Sequence, residues 1–491
     1  MRDYSFGNFI STLRQRKGLS QYQLGALVGV TDKAVSKWEN GASKPRINTV
    51  KKLAQVLDVG IDELLTCEYA TFGRKRKDLF AMKNDILKIA EERVKEIYGE
   101  NPPLDVVNRF QTEELLLEDR EILLWMGFFG KLQEVFEKDN GYALVRGGQL
   151  GASFIAWILG GTIVNPLPAH YYCPACKKME FFKETKCGID LPDKKCSCGE
   201  KLKKDGFGIA TVNIFPLRKW MEITVSKNGT GLVKKCLDNY FKEYGVVREV
   251  IISNNVKGED AFDRFNVKRY MVVSEELNKR FPEKIVRLSF EEYYNTAHDI
   301  LGITVVEADK SVEFKYVDIE FSKKQIKEYY NYAKENDIFD DPVRNIHLPK
   351  ILADIKEPSF GDLVAINGFL HGTGVWENNA EYLYKKGIPL QDMIYCCEDV
   401  YSYLYDKLKG VNSDNLSGLI CEIKNSVCKG KYLKNTMPQE IEKLLDENEV
   451  PEWYIESMKK IRYLFPKAHI IASLKKDIEE FLILEKNRKL Y

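Results

Sequence analysis

The chain has almost no net charge: Lys and Arg number 74, Asp and Glu 73. That balance excludes a uniformly basic nucleic-acid binder, so any phosphate footprint must be local. There is also no apolar run near the roughly eighteen residues a membrane span needs, and no membrane partner is expected. The opening, "MRDYSFGNFISTLRQRKG", lacks the long apolar core of a secretory signal. No low-complexity tract and no internal repeat stand out. What is there has a soluble, globular composition, 44% hydrophobic and 30% charged. Its 491 residues predict two to four domains. Five of the eleven cysteines lie between Cys173 and Cys198. Bunched in this way they point to a metal site in a reducing cytoplasm rather than to a disulfide scaffold.

The first sixty-six residues are locally basic, with ten Lys/Arg against six Asp/Glu. Phe6, Phe9, Ile10 and Leu13 fall at helical spacing, and Gly18 closes that segment. Ser20 caps a short helix, "QYQLGALVG", with Leu24 and Leu27 expected to face inward; Thr31 caps "DKAVSKWENG" after a tight turn. "INTVKKLAQVLDV" and "IDELL" complete five helices. The stretch "LSQYQLGALVGVTDKAVSKWENG" resembles the Cro/repressor-type helix-turn-helix family, in which the second helix of the pair enters a major groove. The resemblance implies a phosphate contact at Gln21 and a cap at Thr31. It puts Asp32, Lys33, Ser36 and Lys37 at base edges, with Lys44 and Arg46 as backbone contacts. The implied partner is a double-stranded operator bound by a homodimer. "GRKRKD", residues 73–78, reads as a solvated linker.

Cys173 and Cys176 form a C-x-x-C knuckle, and Cys196 and Cys198 a tighter C-x-C, with nineteen residues between the two pairs. Four thiolates suit a closed, structural zinc site. Cys187 is a spare thiol that would substitute for one of them. "VRGGQLGAS" sets Arg146 in a glycine-rich turn, a weak pointer to anion binding.

A second resemblance rests on five blocks in order: "EIYGENPP", "VNPLPAHYYCPAC", "GIDLPDKKCSCGEKLKKDG", "PSFGDLVAINGFLHGTGVWENNAEYL" and "VPEWYIESMKKIRYLFPKAHIIASL". They resemble successive parts of the PolC-type DNA polymerase III alpha subunit. The fold this implies is α+β and multidomain. An all-α five-helix helix-turn-helix unit covers 1–66 and a linker 67–84. A mixed α/β palm follows over 85–345, with a zinc knuckle at 170–206. A mostly helical fingers-like region covers 346–491, truncated before the family's clamp-binding tail.

The resemblance also locates the chemistry. Two-metal nucleotidyl transfer needs carboxylates on adjacent palm strands. The family's D-I-D-L-N-F-S strand corresponds to "KWMEITVS", so Trp220 and Glu222 take the two aspartate places and Ser226 the terminal serine. The third aspartate, after an H-D-x-L pattern matched by His298 and Asp299, falls on Val305 or nearby. The S-R-G-S loop keeps Arg146 without its serines, and HGTDVW reads "HGTGVW" with Gly374. Prolines of the scaffold (Pro166, Pro168, Pro192) persist. In "YVDIEFS", Asp318 and Glu320 fall on one strand face, a relocated metal pair if Glu222, Glu307 or Asp309 supplies a third ligand. Lys459, Lys460 and Arg462, with Lys467, form a weak phosphate-binding group, and His371 and His469 carry no catalytic assignment.

The expected function is therefore a cytoplasmic, nucleoid-associated DNA-binding regulator. It carries a catalytically inactive polymerase module that binds nucleic acid, primed DNA, nucleotide or replication proteins. The alternatives are an active polymerase or nucleotidyltransferase, which would need Mg2+, and an inhibitor that mimics the replicative polymerase.

Overall fold

The computed structural model describes residues 10–11, 13–14, 17, 19–40, 43, 45, 47–57, 75–117, 122–138, 143–145, 150–211, 220–225, 229–242, 245–253, 267–274, 283–289, 301–307, 321–336, 340–341, 346–347, 355–411 and 416–488. The chain divides into two compact units, Met1–Asn84 and Asp85–Tyr491.

In the amino-terminal unit residues 10, 11, 13 and 14 are helical, and α1 (Gln21–Val28), α2 (Asp32–Glu39) and α3 (Ile47–Leu57) follow. Ser20 starts α1 with a reciprocal capping box: its hydroxyl accepts the Gln23 N–H at 3.1 Å and the Gln23 side chain accepts the Ser20 N–H at 2.8 Å. Thr31 caps α2 through the Ala34 N–H at 3.3 Å. The two helices cross closely at Gly25, where a Cβ would stand 2.8 Å from the Val30 carbonyl oxygen. Ile10, Leu13, Leu24, Val28, Val35, Trp38, Val50, Leu53, Ala54 and Leu57 form the core.

One expectation is corrected here: Leu27 is 57% exposed, and Val28 joins Leu24 in the core. Residues 24, 25 and 28 share a face at about 100° per residue, and the Gly25 crossing selects that face, leaving 27 on the flank. The "IDELL" segment and residues before Ile10 lie outside the described residues.

Arg14 and Glu39 close the unit. The guanidinium donates to both carboxylate oxygens, at 2.6 and 2.9 Å, and the Gln21 side-chain amide adds a third bond at 2.7 Å. Burial works against the Glu39 carboxylate, but Arg14 and Gln21 outweigh it and hold its pKa below the ordinary range.

The second unit starts within a long helix, α4 (Lys75–Tyr98), which continues through α5 (Leu104–Leu117) and α6 (Ile122–Lys138). The stretch read as a linker is thus helical from Lys75 on. No glycine or proline falls between Gly73 and Gly99 to stop it. Two sheets follow. The smaller has order β3-β2-β4, from β2 (Ala169–Tyr172), β3 (Met179–Phe182) and β4 (Lys203–Asp205). The larger has order β1-β5-β9-β7-β6-β8. Its strands are β1 (Ala143–Val145), β5 (Trp220–Val225), β6 (Gly245–Ser253), β7 (Val267–Ser274), β8 (Ile285–Ser289) and β9 (Leu301–Glu307). Within it β5–β9 and β6–β8 are parallel, and the remaining pairs antiparallel. Helix α7 (Gly229–Tyr240) packs on α6 through interlocked rings of Trp125, Phe128, Phe129, Tyr240 and Phe241.

The carboxy-terminal half is helical, with α8 (Phe360–His371), α9 (Cys397–Leu408), α10 (Leu416–Cys428), α11 (Glu452–Lys460) and α12 (Lys467–Arg488) among its elements. Its apolar core also takes in Ala152, Val164, Cys187, Ile189, Phe207 and Ile209, so one core runs across position 346. Buried Glu113 fixes the entry to it. It accepts bonds from Arg109 Nε, Ser153 Oγ and the N–H groups of Phe154 and Ile155, while Arg109 donates to the carbonyls of Ala152 and Ile209.

Arg14→Met leaves the buried Glu39 carboxylate without its charge partner and should cost the amino-terminal unit ~3 kcal/mol, read as faster hydrogen exchange of α1 and α2 amides. The stabilisation from a depressed carboxylate is complete above the unfolded value of about 4.3. It is lost as pH falls through the lower folded value. The variant should therefore show a flatter acid profile than the natural chain.

Candidate DNA-reading helix, metal knuckle and polymerase-like sheet

On α2, Val35 and Trp38 point to the core, which turns Asp32, Lys33, Lys37 and Asn40 outward, with Ser36 half-buried between them. Asn40 belongs to this face although the sequence reading passed over it. Its amide donates to Ser36 Oγ at 3.4 Å, and the i, i+4 spacing was the available signal. Gln21 is half-buried, and one N–H of its side-chain amide donates to Glu39 at 2.7 Å. Thr31 is exposed at the cap. Lys44 and Arg46 lie outside the described residues.

The four predicted thiols meet. All four sulfurs of Cys173, Cys176, Cys196 and Cys198 lie within 4.8 Å of one another. Cys173 and Cys198 approach to 3.6 Å, Cys176 and Cys196 to 3.4 Å. Those separations are far longer than a disulfide's roughly 2.05 Å. They are close to the ~3.8 Å edge of a tetrahedron with metal–sulfur bonds of about 2.3 Å. Two tight turns build the cluster: Lys177 N–H bonds the Cys173 carbonyl, and Gly199 N–H the Cys196 carbonyl, both at 2.9 Å. The Cys198 N–H, then the Cys176 thiol, bring Cys196 down to about 6, while Cys176 and Cys198 are raised by the neighbouring thiols. The residues fit a four-coordinate soft metal, with no position left open for substrate. Cys187 is not in the cluster. It is buried in the large core, where burial pushes its thiol well up.

The base of the knuckle is bolted to the helical half. Asp190 accepts the N–H groups of Phe360 and Gly361 at 2.6 and 2.8 Å, capping α8, and burial raises its carboxyl despite those bonds. Lys186 pairs with Asp392 at 3.0 Å. Lys467 Nζ donates to the Phe207 carbonyl at 2.8 Å. His170, which precedes the knuckle, packs among Tyr98, Tyr172 and Phe181 with Nδ1 on the Pro168 carbonyl at 2.7 Å.

The central sheet sets the two strands that carry the expected metal positions side by side. Trp220 pairs with Gly302, Glu222 with Thr304 and Ile223 with Val305; on the far side of β9, Arg269 of β7 pairs with Thr304. Residues in register share a sheet face, and the face alternates along the strand. Positions 222, 304 and 269 therefore form one row. Val305, the nearest sequence match for the third carboxylate, belongs instead to the opposite face with Ile223, and both are fully buried. Glu307 pairs with Val225, also on that opposite face, and accepts from Thr230 Oγ1 at 3.0 Å. Arg146, Ser226, His298, Asp299, Asp309, Asp318 and Glu320 lie outside the described residues.

The cationic group in the helical half is partly committed. Lys459 bonds Glu442 at 2.7 Å and Glu456 at 3.0 Å, and Lys460 bonds the Asn378 carbonyl at 3.1 Å. Lys467 is buried as described, while Arg462 is exposed. Gly374 has φ +69°, and a Cβ there would stand 2.7 Å from the Lys460 carbonyl. His371 and His469 stand edge to face at 5.4 Å, both against Phe465.

Comparison with known proteins bears on both units. Residues 10–64 match the helix-turn-helix family. The amino-terminal unit carries a helix-turn-helix domain. Most of the chain is similar to DNA polymerase III PolC-type: 28% identical over 454 residues to the Ureaplasma parvum protein, covering 77% of this chain and 30% of that one. The Staphylococcus aureus protein of the same name is 27% identical over 464 residues, covering 79% and 31%. The chain thus spans under a third of the length of these curated relatives. The PolC-like part contains the knuckle, the central sheet and the helical half. No helix among the described residues is long and apolar enough to cross a membrane.

Cys198→Ser should lower bound metal per chain severalfold after dialysis, whereas Cys187→Ser should leave it unchanged; elemental analysis of the purified proteins makes the comparison.

Proposed function

We propose that the protein is a sequence-specific DNA-binding regulator whose PolC-like part binds nucleic acid, nucleotide or replication partners without extending a strand. The row at the centre of the six-stranded sheet carries this reading. Nucleotidyl transfer through two metals needs several carboxylates converging on one point. The row offers one carboxylate position at Glu222, a threonine at 304 and an arginine at 269. Arg269, two strands from Glu222 at about 10 Å between backbones, adds a positive charge to the face on which a metal would sit. Trp220 takes the other aspartate place of the resemblance.

The exposed side of α2 supports operator reading. Lys33 and Lys37, one helical turn apart, meet phosphate or base edges, and Asp32, Ser36 and Asn40 complete the face. A homodimer would place two such helices about one duplex turn apart, or a multiple of it, on a near-palindromic site. Lys44 and Arg46 are carried as backbone contacts of the same domain. Cys173, Cys176, Cys196 and Cys198 would hold zinc as a structural ion that closes the knuckle. Such a protein works in the cytoplasm, on the nucleoid.

Two measurements test the reading. Primer extension with all four deoxynucleotides, in Mg2+ and separately in Mn2+, should give no product. Extension that disappears in Asp318→Asn or Glu320→Gln would make the protein a polymerase with a rebuilt metal site and sink the proposal. Lys33→Ala with Lys37→Ala should remove the site-specific footprint and weaken operator binding at least tenfold, each lost contact being worth about 1–3 kcal/mol. An inhibitor that acts only by titrating replication proteins would be indifferent to that change.

A further inference from the structure

The tip of α2 carries a charge of the wrong sign for a surface that meets DNA. Asp32 is the first residue of this helix and is exposed. The helix does not need it as a cap, because Thr31 Oγ1 already accepts the Ala34 N–H at 3.3 Å. The buried ion pair of the unit is made by other residues, Arg14 and Glu39. Among the described residues no hydrogen bond or ion pair engages the Asp32 carboxylate. Lys33, next along the helix, is exposed as well.

In helix-turn-helix docking the amino-terminal residues of the second helix face base edges. A carboxylate brought there stands among phosphates, and the repulsion opposes binding to any sequence. Only a hydrogen-bond donor on a base offsets that cost. The major groove offers two, the N4 amine of cytosine and the N6 amine of adenine. Adenine sets the N7 acceptor beside its amine, an arrangement matched by an amide, which both donates and accepts. An ionised carboxylate only accepts, so one of its oxygens would meet the N7 lone pair. Cytosine presents its donor without that acceptor. Lys33 is the reverse case: its ammonium only donates and suits O6 and N7 of guanine. The amide of this face, Asn40, lies about two turns further along, with its N–H on Ser36 Oγ at 3.4 Å.

We propose that Asp32 is a specificity-determining residue that selects a cytosine in each half-site of the operator, with Lys33 on a guanine beneath the same helix tip. The inference rests on the reading of the protein as a sequence-specific DNA-binding regulator. A competing role is local: an acidic residue in the first turn meets the positive end of the helix and stabilises it whether or not DNA is present.

The experiment takes the full chain and its D32N and D32A variants through selection from a random duplex library. Anisotropy titrations of the selected duplex with each single-base change follow, and hydrogen exchange of the α2 amides is measured in parallel. The natural chain should show one position per half-site where replacing cytosine weakens binding roughly 5- to 150-fold. D32N should move the preference at that position alone from cytosine to adenine, the partner of an amide. D32A should erase it, and should bind a duplex of arbitrary sequence more tightly at low salt. A cytosine preference that persists in D32A overturns the inference. Faster exchange of α2 with every base preference unchanged assigns Asp32 to the helix end and overturns it too. A natural chain that selects no sequence at all overturns both this inference and the reading beneath it.

Discussion

The second unit depends on a small set of buried polar ties between the base of the knuckle and the helices that follow it. Asp190 caps α8 through two backbone N–H groups, a favourable place for a carboxylate because it meets the positive end of the helix. Lys467 and Lys475, both nearly inaccessible, donate to the carbonyls of Phe207 and Ile163. A buried ammonium is tolerable only when such acceptors replace water. These ties cross from the strand-rich half of the unit to the helical half. They explain why one apolar core spans both.

That arrangement separates scaffold from chemistry. The ties involve caps, carbonyls and core contacts, none of which needs a metal-binding carboxylate on the central sheet. The sheet can therefore change its surface while the fold around it persists. The aromatic packing of Trp125, Phe128, Phe129, Tyr240 and Phe241 supports the sheet from one side, again without reference to the row at Glu222, Thr304 and Arg269. The contacts that hold the shape and the positions on the sheet's central row are thus different residues.

How much of this was legible in the sequence follows from the range of each interaction. Caps are local, so Ser20 and Thr31 could be read directly, and cysteine spacing was enough to bring four thiols together. Leu27 was misplaced because the buried face of a short helix is chosen by its neighbour, here at the Gly25 crossing. The pairing of Lys459 with Glu442 and the burial of Lys467 depend on segments that meet only in the folded chain. The row on the central sheet was the hardest case. The resemblance pointed to Val305 or nearby, and strand alternation puts Thr304 on the face of Glu222 and Val305 on the other. Register between distant strands is fixed by burial of the whole face, and no local pattern reports it.

The two-residue period of the sheet also bears on what an added carboxylate would do there. An acidic side chain introduced at 305 would enter the core beside Ile223, where it would lower stability before it bound any ion. One introduced at 304 would meet Arg269 first and form an ion pair. A carboxylate added at either position therefore leaves the sheet either less stable or with the new charge already neutralised. Backbone geometry thus decides what a new acid on this sheet can do as much as the side chain that is introduced.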